Sequence, residues 1–357
     1  MKVVYWIIII LFLITLLIKK YKLQSIDYTK ILNDTEIEEL RYVFSGITKD
    51  YQNNPAKNEL INLLVKRNIW KYYYQRPSKY IPELLGEPIW DTKKFDFVKK
   101  LENNFNIIED EVNQIETDLN KLKLISNVNE DIYQGKWKDL FFYNNGARND
   151  VTCKAFPGIA NIIDSIPEFQ GVNPGCVCLS FIYPGTKVEP HFGISNNKLR
   201  LHLGIKNLDN STLYVRDKSN DNKAKVLSLN WEKGKAFIFD DSFEHWVINN
   251  NVGLKPRIIL LADIWHPQLS KKQISLMSNN QSVFFKKYPF LSDLVIKNHI
   301  TTISKSDEYN VRVIIDKNLQ IEIAKYFKKI EIKNFSYNKE NNSFRVTLEN
   351  ETQKIMN

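Results

Sequence analysis

Between Trp137 and Trp265 the chain breaks into short apolar runs, each bounded by Gly, Pro or Asn: Leu140 to Tyr143, Val177 to Tyr183, Leu199 to Ile205, Thr212 to Val215, Ala236 to Phe239, and Ile258 to Ile264. Runs of this length read as strands, and several of them at this spacing suggest a β-sandwich or a jelly-roll barrel. A chain of 357 residues can bury one large core with a smaller satellite, or two modest domains. Its hydrophobic fraction of 43% and aromatic fraction of 12% exclude a disordered protein.

Upstream the periodicity is helical. Val98, Leu101, Phe105, Ile108, Val112, Ile115, Leu119 and Leu122 keep an uninterrupted three-four spacing, which predicts one long amphipathic helix, with coiled-coil pairing as the rival reading. Residues 23–77 are polar, with short amphipathic pieces at Glu36 to Leu40 and Leu60 to Leu64, and read as a helical stalk or cap. Val3 to Ile18 is apolar, with Lys2 before it and Lys19, Lys20 and Lys22 after it. A spanning helix wants about 20 residues, but flanking lysines can reach out to the interface. The reading is an uncleaved membrane anchor over 1–22, with a buried core helix as the alternative, and the lysine count leans only slightly toward a cytosolic body. An endoplasmic-reticulum-type lumenal orientation stays open. Beyond Pro267 the composition turns to Lys, Asn and Ile, with strands expected at Val311 to Ile315 and Phe344 to Leu348 and no chemical motif. The expected division is therefore an anchor at 1–22, a stalk or cap at 23–77, a catalytic domain at 78–270 and an extension at 271–357.

The formal charge of +9 is spread through Lys-rich and Asn-rich sequence. It forms no basic stripe with interleaved aromatics, so nucleic acid is not an expected partner. Three cysteines make an odd count, and Cys176 and Cys178 are too close in an extended strand to bridge easily. No disulfide framework is expected.

Four of the five histidines, His191, His202, His245 and His266, fall within one stretch of the β-like region. Neutral imidazole is the commonest metal ligand, so the clustering suggests a metal site, against a set of satisfied core histidines. Strand alternation puts Ser180 and Ile182 on one face, and Arg257, Ile259, Leu261, Asp263 and Trp265 on one face of a later strand. If that face is interior, Arg257 and Asp263 need partners. A small anionic ligand would satisfy the Arg257 guanidinium, and so would an internal salt bridge to an Asp. A strand is also expected to begin near His191.

Several ordered segments carry a family resemblance: Ser180 through Gly193 to Asn197, Leu199 to Gly204, Trp231 to Lys235, Phe239 to His245 and Asp263 to Pro267. With Tyr80 to Leu84 and Pro88 to Trp90 upstream, residues 78–270 resemble the aspartyl/asparaginyl β-hydroxylase family of iron- and 2-oxoglutarate-dependent oxygenases. The resemblance implies an α+β fold, mainly β in its catalytic core. That core is a double-stranded β-helix of jelly-roll or cupin type with N-terminal flanking helices, preceded here by the membrane anchor helix and followed by a small α+β tail. It also implies Fe(II), 2-oxoglutarate and O2, with hydroxylation of the β-carbon of Asp or Asn in a protein substrate and release of succinate and CO2.

Carried over residue by residue, His191 and His245 match the iron ligands, and Gly193 stands where most related oxygenases place a carboxylate ligand. The family is similar in lacking that carboxylate. Arg200 and His202 match the residues that hold the oxalyl end of 2-oxoglutarate, and Ser180 and Arg257 the pair that binds its far carboxylate. Arg257 lies two residues further from the second histidine than in better-known members. Asp240 or Asp241 is expected to orient His245 through its second ring nitrogen. Cys153 has no second Cys before Cys176, and Leu208 to Leu229 carries a polar insertion, so the disulfide-bearing substrate of the animal enzymes is not implied. A related branch hydroxylates lipid acyl chains, while Trp265-His266-Pro267 looks like the peptide branch. A lipid or small-molecule substrate, and a catalytically silent binding module, are the alternatives. His266 is expected to be structural and His299 an ordinary surface residue. Trp137, Phe141 and Tyr143 are expected to line the entrance or to fill core. The oligomeric state is not set by the sequence.

Overall fold

A computed structural model describes residues 36–37, 41–42, 44–45, 55–116, 125–126, 133–278, 300–305, 310–315, 335–338 and 343–347. The described helices are α1 (Pro55–Lys66), α2 (Asp96–Asn103), α3 (Phe105–Glu116), α4 (Asp150–Ala155), α5 (Pro157–Asp164) and α6 (Lys271–Ser278). The strands are β1 (Ile89–Trp90), β2 (Ile125–Ser126), β3 (Tyr133–Gln134), β4 (Trp137–Asn144), β5 (Ala147–Arg148), β6 (Cys176–Ile182), β7 (Lys187–His191), β8 (Lys198–Lys206), β9 (Ser211–Arg216), β10 (Val226–Asn230), β11 (Ala236–Phe239), β12 (His245–Asn249) and β13 (Arg257–Trp265).

One sheet runs in the order β1-β11-β8-β13-β6-β4-β2 and a second runs β10-β9-β12-β7-β3. The pairings from β1 through β11, β8 and β13 to β6, that of β4 with β2, and all those of the second sheet are antiparallel. From β6 to β13 the chain passes from one sheet to the other at every step except β9 to β10. That winding is a double-stranded β-helix, the jelly-roll solution to pairing two twisted sheets around one interior.

All nine residues of β13 are buried, because the strand sits between β8 and β6 and both of its faces are covered. On β8 the odd positions Leu199, Leu201 and Leu203 are fully buried on one face, while Lys198, Arg200 and His202 share the other. The helical flank contributes Leu101, Ile108, Val112, Ile159 and Ile163, all with no exposed surface. The 3₁₀ turn Pro167–Phe169 packs against β13, and its Phe169 ring meets Phe97 edge-on at 5.5 Å.

The expected single long helix is two. It breaks at Asn104, whose backbone N–H donates to the Leu101 carbonyl and whose Nδ2 donates to the Lys100 carbonyl at 2.8 Å, taking up the carbonyls of the last turn. The apolar stripe survives the break through Val98, Leu101, Ile108 and Val112, and Leu119 and Leu122 lie outside the described residues. The expected strands are all present, with β7, β10, β12 and the two-residue strands β1, β2, β3 and β5 among those in addition. His191 ends β7 where a strand was expected to begin.

The chain divides into two compact units, the first made of residues 1–142, 149–169 and 177–266, the second of 143–148, 170–176 and 267–357. The second holds α6 and a four-stranded antiparallel sheet in the order β14-β15-β17-β16, formed by β14 (Ile300–Lys305), β15 (Asn310–Ile315), β16 (Phe335–Asn338) and β17 (Ser343–Thr347). The expected anchor at 1–22 and His299 lie outside the described residues. Among the described residues no helix is long and apolar enough to cross a membrane.

Candidate active site

Ser180, His191, Arg200, His202, His245 and Arg257, drawn from five strands, line one cavity between the two sheets. The space measures about 390 Å³ including its open mouth, a size typical of small-molecule sites. Ile182, Val188, Leu213, Phe239, Val247 and Leu261 supply its apolar walls.

His191 and His245 are paired residues across the β7–β12 ladder, with ring centroids 4.2 Å apart. Each sits 2.8 Å through Nδ1 from the backbone carbonyl two residues before it, Glu189 for His191 and Phe243 for His245. A carbonyl can only accept, so both Nδ1 atoms carry the proton and both Nε2 atoms are left as lone-pair donors. Burial pushes both imidazoles toward the neutral form, His245 the more strongly because His191 stands beside it. Two neutral, fixed imidazoles are what a divalent metal needs.

Gly193 leaves the third position without a side chain, and no other His, Cys, Asp or Glu among the described residues completes a three-ligand group. The space is taken by Asp241: a Cβ on Gly193 would lie 2.6 Å from its Cγ and Oδ1, and the Gly193 N–H donates to the Asp241 carbonyl at 2.6 Å. Asp241 Oδ1 is buried without a hydrogen-bond partner.

Arg200 is held by Asp263, Nε to Oδ1 at 2.9 Å and Nη2 to Oδ2 at 3.1 Å, and by Asp241 at 3.3 Å. Lys198, on the same face of β8, joins Asp241 at 2.7 Å to Asp263 at 3.0 Å. Burial alone would raise the Asp263 pKa, but the Arg200 and Lys198 cations hold its carboxyl well below the usual range. His202 is buried with neither ring nitrogen hydrogen-bonded, and desolvation, with Arg257 and Arg200 nearby, keeps it neutral.

Arg257 is 1% exposed, lies 4.4 Å over the Trp231 ring, and has no partner for Nε or Nη1. The internal salt bridge considered from sequence is thus made by Asp263 with Arg200 and Lys198, and Arg257 is left facing the cavity. A buried guanidinium with unsatisfied donors marks a place for an anion. Ser180 Oγ receives the Trp137 indole N–H at 2.9 Å, which puts Trp137 in the cavity wall.

Residues 102–267 match the family model described as aspartyl/asparaginyl beta-hydroxylase. This part of the chain is similar to that family. The chain is 33% identical over 213 residues to the Homo sapiens aspartyl/asparaginyl beta-hydroxylase, covering 58% of this chain and 26% of that protein. It is 29% identical over 212 residues to the aspartate beta-hydroxylase domain-containing protein 2 of Xenopus tropicalis, covering 56% and 54% respectively. It is also 28% identical over 190 residues to the ornithine lipid ester-linked acyl 2-hydroxylase of Rhizobium tropici, covering 52% and 63%. The chain thus spans about a quarter of the length of the human relative.

In this chain neither Asp240 nor Asp241 orients His245; the Phe243 carbonyl does. Asp240 instead accepts from Gln75 Nε2 at 3.0 Å and from the Ser242 N–H at 3.0 Å, and burial raises its pKa to about 7. His266 is structural as expected: Nε2 donates to the Leu85 carbonyl at 3.0 Å and the ring stands edge-on to Trp90. Phe141 is half-buried and Tyr143 buried, and neither lines the cavity. Sequence reasoning did not single out Lys198 or Asp139; the two-residue spacing of Lys198, Arg200 and His202 on one strand face is the signal that could have found the first.

Proposed function

We propose that this chain is an Fe(II)- and 2-oxoglutarate-dependent dioxygenase that hydroxylates the β-carbon of Asp or Asn side chains in a protein substrate, releasing succinate and CO2. One observation carries the reading: two facing histidines with Nε2 free and a buried arginine with unsatisfied donors line the same cavity. The donor set fits iron(II), which accepts imidazole nitrogen and needs open positions for a bidentate 2-oxo acid and for dioxygen. With iron and 2-oxoglutarate bound, oxidative decarboxylation supplies the oxidant that places one oxygen atom of O2 on a substrate C–H.

The protein's own part is binding and orientation. His191 and His245 would hold the metal, each ring aimed by its carbonyl. Arg200 and His202 would hold the oxalyl end of the co-substrate, with Arg200 fixed in place by Asp263 and Asp241. Ser180 and Arg257 would bind the far carboxylate. The apolar walls exclude water, which strengthens each of these charge interactions. Asp241 Oδ1, beside Gly193, offers an acceptor for a water in place of the missing carboxylate ligand.

A second reading keeps this chemistry and changes the substrate to a lipid acyl chain. Likeness to the Rhizobium tropici acyl hydroxylase supports it, as does the apolar Val3 to Ile18 segment, which within either reading serves as a membrane anchor over 1–22. The oxygenase unit would comprise residues 78–270. The test is incubation of the full chain with iron(II), ascorbate and 2-oxoglutarate in the presence of Asp- or Asn-bearing peptides, or of an ornithine lipid. Gain of one oxygen atom by the peptide supports the leading reading, and gain by the lipid alone replaces it with the second.

A further inference from the structure

Arg257 has a buried neighbour of opposite charge outside the six-residue site. Asp139, on β4, is 5% exposed, and its Oδ1 accepts the Trp137 indole N–H at 2.9 Å. The same N–H reaches Ser180 Oγ, also at 2.9 Å, so one donor ties the two oxygens together. β4 lies beside β6 and β6 beside β13, where Arg257 pairs with Ile182 and Ser180 with Ile259. Trp137, Ser180 and Arg257 line the cavity, and Asp139 stands behind them, tied to Ser180 through the Trp137 indole. Burial lowers the pKa of Arg257 to about 9, and the Asp139 charge is the first influence acting against that.

We propose that Asp139 is a specificity-determining residue that holds down the affinity for 2-oxoglutarate. The inference rests on Ser180 and Arg257 binding the far carboxylate, as set out above. An incoming carboxylate at that pair meets the field of a fixed, buried carboxylate held through Trp137 against Ser180, and two carboxylates acting on one cation repel. Neutralising Asp139 acts in the same direction on both states. It takes the counter-charge from buried Arg257 in the unliganded protein, and it removes the repulsion in the complex.

The test is calorimetric titration of 2-oxoglutarate into the full chain loaded with Mn(II), for the native protein, Asp139→Asn and Asp139→Gln. Both variants keep an oxygen acceptor for Trp137, so the two serve as checks on one another. 2-Oxopentanoate, with the same oxalyl end and an uncharged tail, is the control ligand. Asp139→Asn is expected to bind 2-oxoglutarate roughly tenfold more tightly and 2-oxopentanoate no differently, with a lower melting temperature when unliganded. Unchanged or weaker 2-oxoglutarate binding in the folded variants, or an equal gain for 2-oxopentanoate, overturns the inference alone. A native chain that binds Mn(II) but no 2-oxoglutarate overturns the dioxygenase reading, and this inference with it.

Discussion

The carboxylate of Asp241 occupies the space that a side chain on Gly193 would need, with Oδ1 2.6 Å from where a Cβ would stand. The absence of a third protein ligand is therefore built into the packing and is not a simple loss of one residue. Asp241 is itself clamped by Lys198 at 2.7 Å and Arg200 at 3.3 Å, so it has little freedom to withdraw.

Gly193→Asp, which would write a two-histidine, one-carboxylate set into the sequence, is accordingly expected to fail. The new side chain would be forced against a buried carboxylate, at a cost of about 1–3 kcal/mol from overpacking alone and more from like-charge repulsion. Thermal melting should show the loss, and titration with Mn(II) should show no gain in metal affinity over the native chain.

Asp263→Asn removes the negative charge that both Arg200 and Lys198 contact. Buried Lys198 and part-buried Arg200 would then lose the negative charge they hold in common. Breaking a buried charge network in this way costs about 3–5 kcal/mol. Denaturant unfolding measures that, and 2-oxoglutarate binding should weaken as Arg200 loses the bidentate contact that aims it.

Glu111 on α3 accepts the backbone N–H groups of Gly158 at 2.7 Å and Ile159 at 2.8 Å, at the start of α5. It acts as a helix cap supplied from another helix, and a carboxylate there also meets the positive end of the helix dipole. Glu111→Ala should destabilise the chain by about 1–2 kcal/mol in denaturant unfolding while leaving metal binding unchanged.

His266 gives a pH signature. Burial lowers its pKa to about 4, whereas the unfolded chain takes up the proton near 6.5. Between those values the unfolded state binds more protons, so stability falls as pH drops from about 6.5 toward 4, by roughly 3 kcal/mol in all. His266→Gln should flatten that part of a melting-temperature profile against pH. A profile with an unchanged slope would show that another group sets the acid limit.

The strands that were legible in the sequence are those whose apolar residues run together. Val177 to Ile182 and Ile258 to Ile264 are buried on both faces, which leaves a continuous hydrophobic run. β7, β10 and β12 were less visible because they lie in the less covered sheet; His245-Trp246-Val247-Ile248-Asn249 alternates buried and half-buried positions, and β10 alternates exposed and half-buried ones. The helix break at Asn104 leaves no mark on the three-four spacing, since the apolar stripe resumes on the far side. The six site residues were reached through ordered motifs. The role of Asp241 was not, because a close approach to Gly193 depends on how two loops meet in space. Nor was the charge network of Lys198, where residues 43 and 65 positions apart share one set of contacts.

The most direct test of the central claim is succinate formation from 2-oxoglutarate by the full chain with iron(II) and ascorbate, measured for the native protein beside His191→Ala and Arg257→Ala. Succinate from the native chain, lost in both variants, is the expected result. Succinate that persists in either variant, or a native chain that binds iron and 2-oxoglutarate yet forms none with any Asp- or Asn-bearing peptide or acyl lipid, would contradict the dioxygenase reading.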